Sequence, residues 1–251
     1  MTPLADIVEY CDNLTNRRGI TDFPGANNGL QLQNNGMVSR IGAAVDAGLV
    51  PFQMAVEAGV DLLIVHHGLF WSTPESYTEV LYRKLKLAMD NNLAVYSSHL
   101  PLDAHQEIGN NRLLADALGL EPLSWFLSHE DTPIALLAKL PVDRESLKDR
   151  LRDEFGQGFT AIEYGSSHPE RIAILTGSGR SALPHLKENG TDTLITGELR
   201  QEHFNLAQEE GLNLYLCGHY ATERYGVRAL ADKVASEFDL PHDFLQTPCP
   251  L

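Results

Sequence analysis

Histidines and acidic residues come just after three apolar stretches of this chain; they are His66 and His67, His99 and Asp103, and His219 and Glu223. Imidazole nitrogens and carboxylate oxygens are the ligands that suit borderline divalent ions such as zinc, iron, manganese or nickel. One histidine alone is more often structural than a metal ligand, but three such groups in one chain are much more specific. The pattern therefore predicts a metal site, and the number of ligands indicates two ions.

The spacing within these groups indicates what each side chain could do. His66 and His67 are consecutive, so on an extended strand they point to opposite sides, and both serve one site only if it holds two ions or the backbone turns. Asp103 would balance the charge that neutral imidazoles leave uncompensated. Glu223 could bridge two ions while His219 binds one of them, since a helical spacing of four places both on one face.

Other polar residues near these groups are candidates for proton transfer or for structural roles. His99 and Glu198 are the candidates for catalytic acid or base, although either could instead orient a ligand or cap a turn. His105 is a candidate for the same neighbourhood or for a turn cap. We expect His203 to be solvated, and Cys217 to be a buried small hydrophobe and not a thiolate ligand.

Short apolar runs alternate with longer helical patterns in the first half of the chain. This alternation predicts an α/β fold, with largely parallel sheets flanked by helices. Ligands bind at the carboxyl ends of strands in such sheets, where the histidines stand. The predicted strands and helices are Ile41–Val45, Leu49–Ala58, Asp61–Val65, Thr78–Asn91 and Leu93–Tyr96.

The second half repeats the plan, with Gly190 and Asp192 aligning with Gly59 and Asp61. We therefore expect two related α/β units, residues 1–125 and 126–251, with the metal site in the cleft between them. The turn at 176–179 resembles a phosphate-cradling loop but lacks the lysine of a P-loop. The predicted elements here are strands at Pro133–Leu140, Phe159–Tyr164 and Arg171–Leu175, and helices at Val142–Phe155 and near Ala182–Glu188.

Composition narrows the classes of function. The chain has 251 residues, 43% of them hydrophobic, which is enough to bury a sizeable core. Its three cysteines form no CxxC pair, and no secretory or membrane-spanning segment is evident, so we expect a soluble cytoplasmic protein. A formal net charge of -15 disfavours nucleic acid as a partner.

Four motifs occur in order along the chain: Asn28-Gly29-Leu30-Gln31, His66-His67-Gly68-Leu69-Phe70, His99-Leu100-Pro101-Leu102-Asp103 and Gly218-His219-Tyr220-Ala221-Thr222-Glu223. Together they resemble those of the Nif-three-like family, whose members are named GTP cyclohydrolase 1 type 2 homologs. The resemblance runs from near the N-terminus to at least Val234. It implies a two-domain α/β fold, assembled as a ring-shaped hexamer that is a trimer of dimers, with a site for two metal ions. It also implies that His66 and Asp103 bind one ion, that His67 and His219 bind the other, and that Glu223 bridges them. Gly68 stands where the family often has proline.

The leading functional hypothesis is a metal-dependent hydrolase in which an activated water attacks the ring of a purine nucleotide. The substrate class, a small molecule such as a nucleotide, comes from the resemblance alone. A metal-dependent phosphoesterase is one alternative, because two ions also suit phosphoester hydrolysis. A non-catalytic metal-binding or scaffold protein is the other.

Overall fold

The computed structural model describes residues 1–71, 76–139, 143–247 and 249. It divides into two compact units, the first containing Met1–Asp103 and the segment that begins at Gly226, the second containing Ala104–Tyr225. The sequence predicts a domain boundary between residues 125 and 126, whereas the compact units meet at 103/104 and at 225/226. The predicted domains 1–125 and 126–251 stay a prediction.

The first unit is built on a short N-terminal pairing and a series of alternating strands and helices. Its elements in chain order are β1 (Thr2–Pro3), α1 (Leu4–Leu14), β2 (Gly29–Leu32), β3 (Met37–Val38), β4 (Ile41–Asp46), α2 (Leu49–Glu57), β5 (Leu62–His67), α3 (Glu79–Asp90), β6 (Ala94–Ser97) and α4 (Leu100–Asp103).

The chain then forms the second unit and returns to the first. The remaining elements are α5 (Asn110–Ala117), β7 (Glu121–His129), β8 (Thr132–Lys139), α6 (Arg144–Phe155), β9 (Thr160–Glu163), β10 (Arg171–Ser178), β11 (Thr193–Glu198), α7 (Glu202–Glu210), β12 (Asn213–Leu216), α8 (His219–Phe238) and β13 (His242–Phe244).

The main sheet of the first unit has five strands in the order β13-β4-β5-β6-β2. Its first three pairings are parallel, and β2 joins the edge antiparallel to β6. Alternation along the strands separates two faces: Val95 packs with the cluster that contains Phe52 of α2, whereas the next residue, Tyr96, donates a hydrogen bond to Asp12 of α1. The sheet is therefore covered by helices on both faces, as α/β layering requires.

The six-stranded sheet of the second unit has the order β7-β8-β10-β11-β12-β9. Its central pairs, β10 with β11 and β11 with β12, are parallel, and the outer pairs are antiparallel. Residues 130 and 131 alone separate β7 from β8, and so short a connection can only join antiparallel strands. The α/β class with helix-flanked sheets is confirmed, and this sheet is mixed.

One predicted helix, near Ala182–Glu188, is wrong. The structure has two short 3-10 helices there, Arg180–His185 and Lys187–Asn189. Pro184 lies inside the first, and its missing N–H and its ring prevent a regular α-helix.

The ends of the predicted strand and helix at Leu140 and Val142 lie outside the described residues. Across the described part of the chain, no helix combines the length and the apolar character that crossing a bilayer requires.

Strand β5 should depend strongly on Ile64, which is fully buried on the same face as His66, two residues before it. We expect Ile64→Ala to lower the free energy of unfolding by about 2–5 kcal/mol, because it leaves a cavity in a close-packed core. Urea unfolding followed by circular dichroism measures this. Val50→Ala is the control: Val50 is 56% exposed on α2, and its loss should cost less than about 0.5 kcal/mol. Equal losses in the two variants would contradict the assignment of Ile64 to the core.

Candidate metal centre

The double histidine forms the carboxyl end of β5, one strand from the matching end of β4. In the parallel register Asp46, the last residue of β4, is paired with His67, the last residue of β5. Nδ1 of His67 lies 2.8 Å from Oδ1 of Asp46. The carboxylate accepts the Nδ1–H proton, which leaves Nε2 as the lone-pair nitrogen.

His66 is fully buried and is held from the next strand along the sheet. Its Nδ1 lies 2.9 Å from the backbone carbonyl oxygen of Ser98, just after β6. A carbonyl oxygen can only accept, so Nδ1 carries the proton and Nε2 is again the available nitrogen. That Nε2 lies 3.4 Å from Oδ2 of Asp103, at the end of the short helix α4.

His99 is held in the same way by a buried carboxylate. Nδ1 of His99 lies 2.9 Å from Oδ1 of Asp22, whose side chain is only 5% exposed. Asp22 also accepts hydrogen bonds from the side chain of Asn28 and the backbone N–H of Leu100. Burial by itself would raise the pKa of Asp22, but the hydrogen bond and charge of His99, with help from Asn28, outweigh it and lower the pKa to about 2.

The three histidines of the first unit converge. Each offers a ligand nitrogen to a group of three atoms that all lie within 4.8 Å of one another. The ring centroid of His66 is 4.8 Å from those of both His67 and His99. Because each Nδ1 is committed to an oxygen, the three rings present Nε2, which is the arrangement of histidines that bind metal through neutral imidazole.

The second unit contributes a histidine and two carboxylates. His219 begins α8, and Nε2 of its ring lies 3.1 Å from Oε2 of Glu223, one turn further along. On the other side of the ring, Nδ1 lies 3.2 Å from Oε1 of Glu198, the last residue of β11. Glu223 is 3% exposed as a residue. The pair therefore combines a buried carboxylate with an imidazole whose Nδ1 is held by a second acid.

The charge around His219 favours its protonated form in the absence of a metal ion. Burial alone would lower the pKa of His219, but the hydrogen bonds to Glu223 and Glu198 and the charges of these two acids raise it to about 9. The two carboxylates of Glu198 and Glu223 thus already stabilise a positive charge on the imidazole between them. A metal ion that binds His219 at neutral pH would displace this proton.

The predicted turn at 176–179 is wrong, since residues 176–178 form the end of β10, where the pairing with β11 is irregular. This segment lies against the first turn of α8 and leaves room for the pair of His219 and Glu223. Gly177 has a φ of +64°, and a Cβ there would overlap the Glu223 carboxylate and crowd Nε2 of His219. Its N–H donates to Oγ1 of Thr222 at 3.0 Å. The glycine that resembled part of a phosphate loop therefore makes space for the candidate metal ligands.

The polar motif near residue 28 supports the loops that carry the first-unit histidines. Oδ1 of Asn28 accepts from the backbone N–H of His99, and Oε1 of Gln31 accepts from the backbone N–H of Leu69. A side chain at Gly68 would overlap the Gln31 amide, so Gln31 would have to move to accommodate the proline that the resemblance led us to expect.

Within each unit the predicted residues lie together. His66, His67 and Asp103 are brought together in the first unit, joined by His99; His219 and Glu223 meet in the second, joined by Glu198. The contact with Nδ1 of His219 gives Glu198 the position of an orienting carboxylate.

Three further predictions have clear outcomes. Nδ1 of His105 accepts from the backbone N–H groups of Glu107 and Ile108, so this histidine caps a turn. His203 is only 7% exposed, so the prediction that it is solvated is wrong; its Nδ1 accepts the N–H of Arg200 at the start of α7. Cys217 is buried as predicted, and burial raises the pKa of its thiol to about 12, so it is no nucleophile at neutral pH.

Sequence reasoning missed the two aspartates that hold the histidines. Asp46 had a usable signal, because it directly follows the predicted strand Ile41–Val45 and parallel strands end at one edge of a sheet. Asp22 had none: it lies in a loop 77 residues before His99, and no periodicity links the two.

Comparison with known proteins identifies the family. The sequence profile described as Duf34/NIF3 (NGG1p interacting factor 3) matches residues 2–250. The chain belongs to the Duf34/NIF3 family. A relative from Deinococcus radiodurans named GTP cyclohydrolase 1 type 2 homolog is 40% identical over 223 residues, which cover 88% of this chain and 85% of the relative.

Other members of the Duf34/NIF3 family agree over the full length. A protein of the same name from Escherichia coli K12 is 35% identical over 249 residues, covering 98% of both chains. A solved protein from Thermus thermophilus is 36% identical and superimposes with a TM-score of 0.91 over 100% of both chains. The fold described above is therefore that of the Duf34/NIF3 family, and the Nif-three-like resemblance is confirmed.

Gly177→Ala tests the space beside Glu223. We expect the affinity for zinc to fall by about tenfold or more, because the new methyl group displaces the carboxylate and the imidazole. Gly156→Ala is a matched control: Gly156 lies in the same unit, also has a φ of +64°, and has nothing within 4 Å of an added Cβ. Both variants place alanine at a positive φ, which strains the backbone in each, but only Gly177→Ala adds an overlap with the candidate ligands. Titration of metal-free protein with zinc against a chromophoric chelator measures the difference, and equal affinities would refute the steric argument.

Asp46→Asn tests the tautomer control of His67. An amide can offer His67 either a donor or an acceptor, so the Nδ1–H form loses its preference, and we expect zinc affinity to fall about 10–100-fold. Asp90→Asn is the control, since Asp90 is a similarly exposed carboxylate of the same unit that pairs with Lys86. Unchanged affinity in Asp46→Asn, or an equal fall in Asp90→Asn, would contradict the role of Asp46. The same chelator competition serves for both.

Proposed function

We propose that this protein binds two divalent metal ions and is a metal-dependent hydrolase that acts on the ring of a purine nucleotide. The proposed metal ligands are His66, His67, Asp103, His219 and Glu223.

One observation carries the metal-binding part of the proposal. Three histidines of the first unit each have Nδ1 committed to an oxygen, from Asp46, Asp22 or the carbonyl group of Ser98. Structural histidines need no such common orientation, whereas metal ligands and a proton acceptor beside them gain from it, because the fixed Nδ1–H proton keeps Nε2 unprotonated and correctly aimed. The convergence of these nitrogens supports a metal centre over three unrelated structural histidines.

The types of ligand support first-row ions. Neutral imidazoles with a few carboxylates suit zinc, iron, manganese and nickel, and occupancy among these follows availability more than affinity. Neither unit alone offers a full set for two ions: the first supplies imidazoles and Asp103, and the second supplies His219 and Glu223. We propose that the two sets act as one dinuclear site, with Glu223 as the bridging carboxylate, as the family resemblance implies.

The chain's own residues would manage protons in this reaction. A bound ion would lower the pKa of a coordinated water toward neutrality and so supply a nucleophile at neutral pH. His99, with its Nδ1–H held by the ionised Asp22, is the proposed proton acceptor through Nε2. Glu198, at Nδ1 of His219, is proposed to hold that ring in place and to take up a proton when it is released.

The substrate class comes from the relatives. Those named GTP cyclohydrolase 1 type 2 homolog suggest a guanine nucleotide. In the proposed reaction one water adds to C8 of guanine and the C8–N9 bond breaks, and a second water then releases C8 as formate. The ring-shaped hexamer, a trimer of dimers, and a cytoplasmic location remain predictions about assembly and setting.

Formate release tests the whole proposal. Zinc- or manganese-loaded protein incubated with GTP should release formate, measured with a coupled formate dehydrogenase. Loss of outer partners of a metal ligand costs about 10–100-fold, so His67→Ala and Glu223→Ala, which remove direct ligands, should each lower the rate at least about 100-fold. Metal analysis of the same samples should show reduced content.

His185→Ala is the matched control for this experiment. His185 of the second unit has a side chain that is 41% exposed and pairs with Glu188, and its loss should change neither metal content nor rate. A rate unchanged in His67→Ala and Glu223→Ala would remove the metal centre from the reaction. Cleavage of phosphodiester substrates without formate would replace the proposed reaction with phosphoester hydrolysis, and full metal content without turnover of either substrate would leave a metal-binding protein that is not a hydrolase.

A further inference from the structure

Two large aromatic side chains lie beside the histidines of the first unit and remain exposed. Trp71 is 44% exposed and Phe23 is 41% exposed. Single exposed aromatic residues are ordinary on protein surfaces. These two differ because both contact the same ring of the candidate metal centre.

The contacts place an indole and a phenyl ring around His99. The ring centroids of Trp71 and His99 are 4.5 Å apart, with the rings nearly perpendicular at 83°. Phe23 lies 6.1 Å from His99 at 59°, and Trp71 also lies 5.5 Å from His67. An edge-to-face contact engages only part of an indole, so the exposed part of Trp71 is open to a ligand.

Hydrogen bonds fix the backbone near both aromatic residues. The N–H of Phe23 donates to Oδ1 of Asp22 at 2.6 Å, the carboxylate that also orients His99. Two residues before Trp71, the N–H of Leu69 donates to Oε1 of Gln31 at 2.6 Å. Asp22, which orients His99, thus also fixes the backbone at Phe23, and Gln31 fixes the backbone between His67 and Trp71.

The chemistry of this surface selects a class of ligand. A ligand whose polar group faces the three imidazoles would have its remaining surface next to two partly exposed aromatic rings. Planar heteroaromatic rings meet both needs, since they carry ring nitrogens or oxygens and stack on aromatic side chains with little dependence on identity. A sugar or phosphate alone would leave the aromatic faces in water.

We propose that Trp71 and Phe23 form a stacking surface for a planar heteroaromatic ring of the substrate, held beside the His66–His67–His99 cluster. This inference rests on the proposed function, because it names the part of the substrate that the same site recognises. It makes Trp71 and Phe23 residues that determine substrate class.

Trp71 can report on its own occupancy. The chain has two tryptophans, Trp71 and Trp125, so Trp125→Phe leaves the emission of Trp71 alone. Zinc-loaded and metal-free samples of this variant are titrated with GMP, AMP and CMP, and with ribose 5-phosphate, which has the sugar and phosphate but no ring. We expect saturable quenching by at least one nucleotide, with affinity at least about fivefold higher than for ribose 5-phosphate.

Calorimetry on substituted proteins then assigns the effect. Trp71→Leu should weaken binding of that nucleotide about 5- to 100-fold, the range of one base–aromatic stacking contact, while Trp71→Tyr retains most of the affinity. Zinc content should be the same in both, and Trp125→Phe should bind like the unaltered protein. Unaltered zinc content and circular dichroism in Trp71→Leu exclude misfolding as the cause.

The outcomes separate this inference from the proposed function. If ribose 5-phosphate binds as tightly as the nucleotides, if none of the nucleotides binds in the millimolar range, or if Trp71→Leu binds as well as Trp71→Tyr, the stacking surface is refuted. If the ring preference and the Trp71→Leu loss are found but zinc is not bound or formate is not released, the proposed function fails and the stacking surface stands.

Discussion

The candidate centre depends on one kind of interaction, a hydrogen bond from Nδ1 of a histidine to an oxygen that can only accept. Asp46, the Ser98 carbonyl group and Asp22 provide that oxygen in the first unit, and Glu198 stands in the equivalent position beside His219. In the first unit each such bond chooses the tautomer and so determines which nitrogen is left for chemistry, whereas the bond to Glu198 holds the ring of His219 in place. The sheets, turns and glycines matter to the centre mainly because they bring these oxygens to the right place.

The two units reach this arrangement by similar means. In each, a glycine with positive φ, Gly59 or Gly190, precedes an aspartate and then a six-residue parallel strand. Oδ2 of that aspartate accepts backbone N–H groups from a neighbouring loop, those of Ser39 and Arg40 for Asp61 and that of Ser166 for Asp192. The strands end in His67 and Glu198, respectively, so equivalent positions carry an imidazole in one unit and a carboxylate in the other. The weak internal repeat in the sequence thus corresponds to a shared local design.

Much of the fold and most of the candidate ligands could be predicted from the sequence, because they follow local rules. An apolar run predicts β5, and helical periodicity predicts α2. Because ligands bind at the carboxyl ends of strands in α/β sheets, the sequence also places His66 and His67 at a ligand-binding edge. Where prediction fails, the cause is a constraint that local pattern does not contain. Pro184 prevents the helix near residue 182, and His203 is buried because its ring caps the start of α7. Asp22 and Trp71 reach His99 across long stretches of chain, and only tertiary structure brings such residues together.

The pairing of Asp46 with His67 makes strand length part of the chemistry. Successive residues of a strand face opposite sides, so deletion of a single residue within β4 would shift which side chain stands opposite His67 while leaving every proposed ligand in the sequence. Substitutions in the interior of β4 that preserve volume could be absorbed by repacking, whereas an insertion or deletion there could not. Relatives that share this centre should therefore vary in the composition of this strand long before they vary in its residue count.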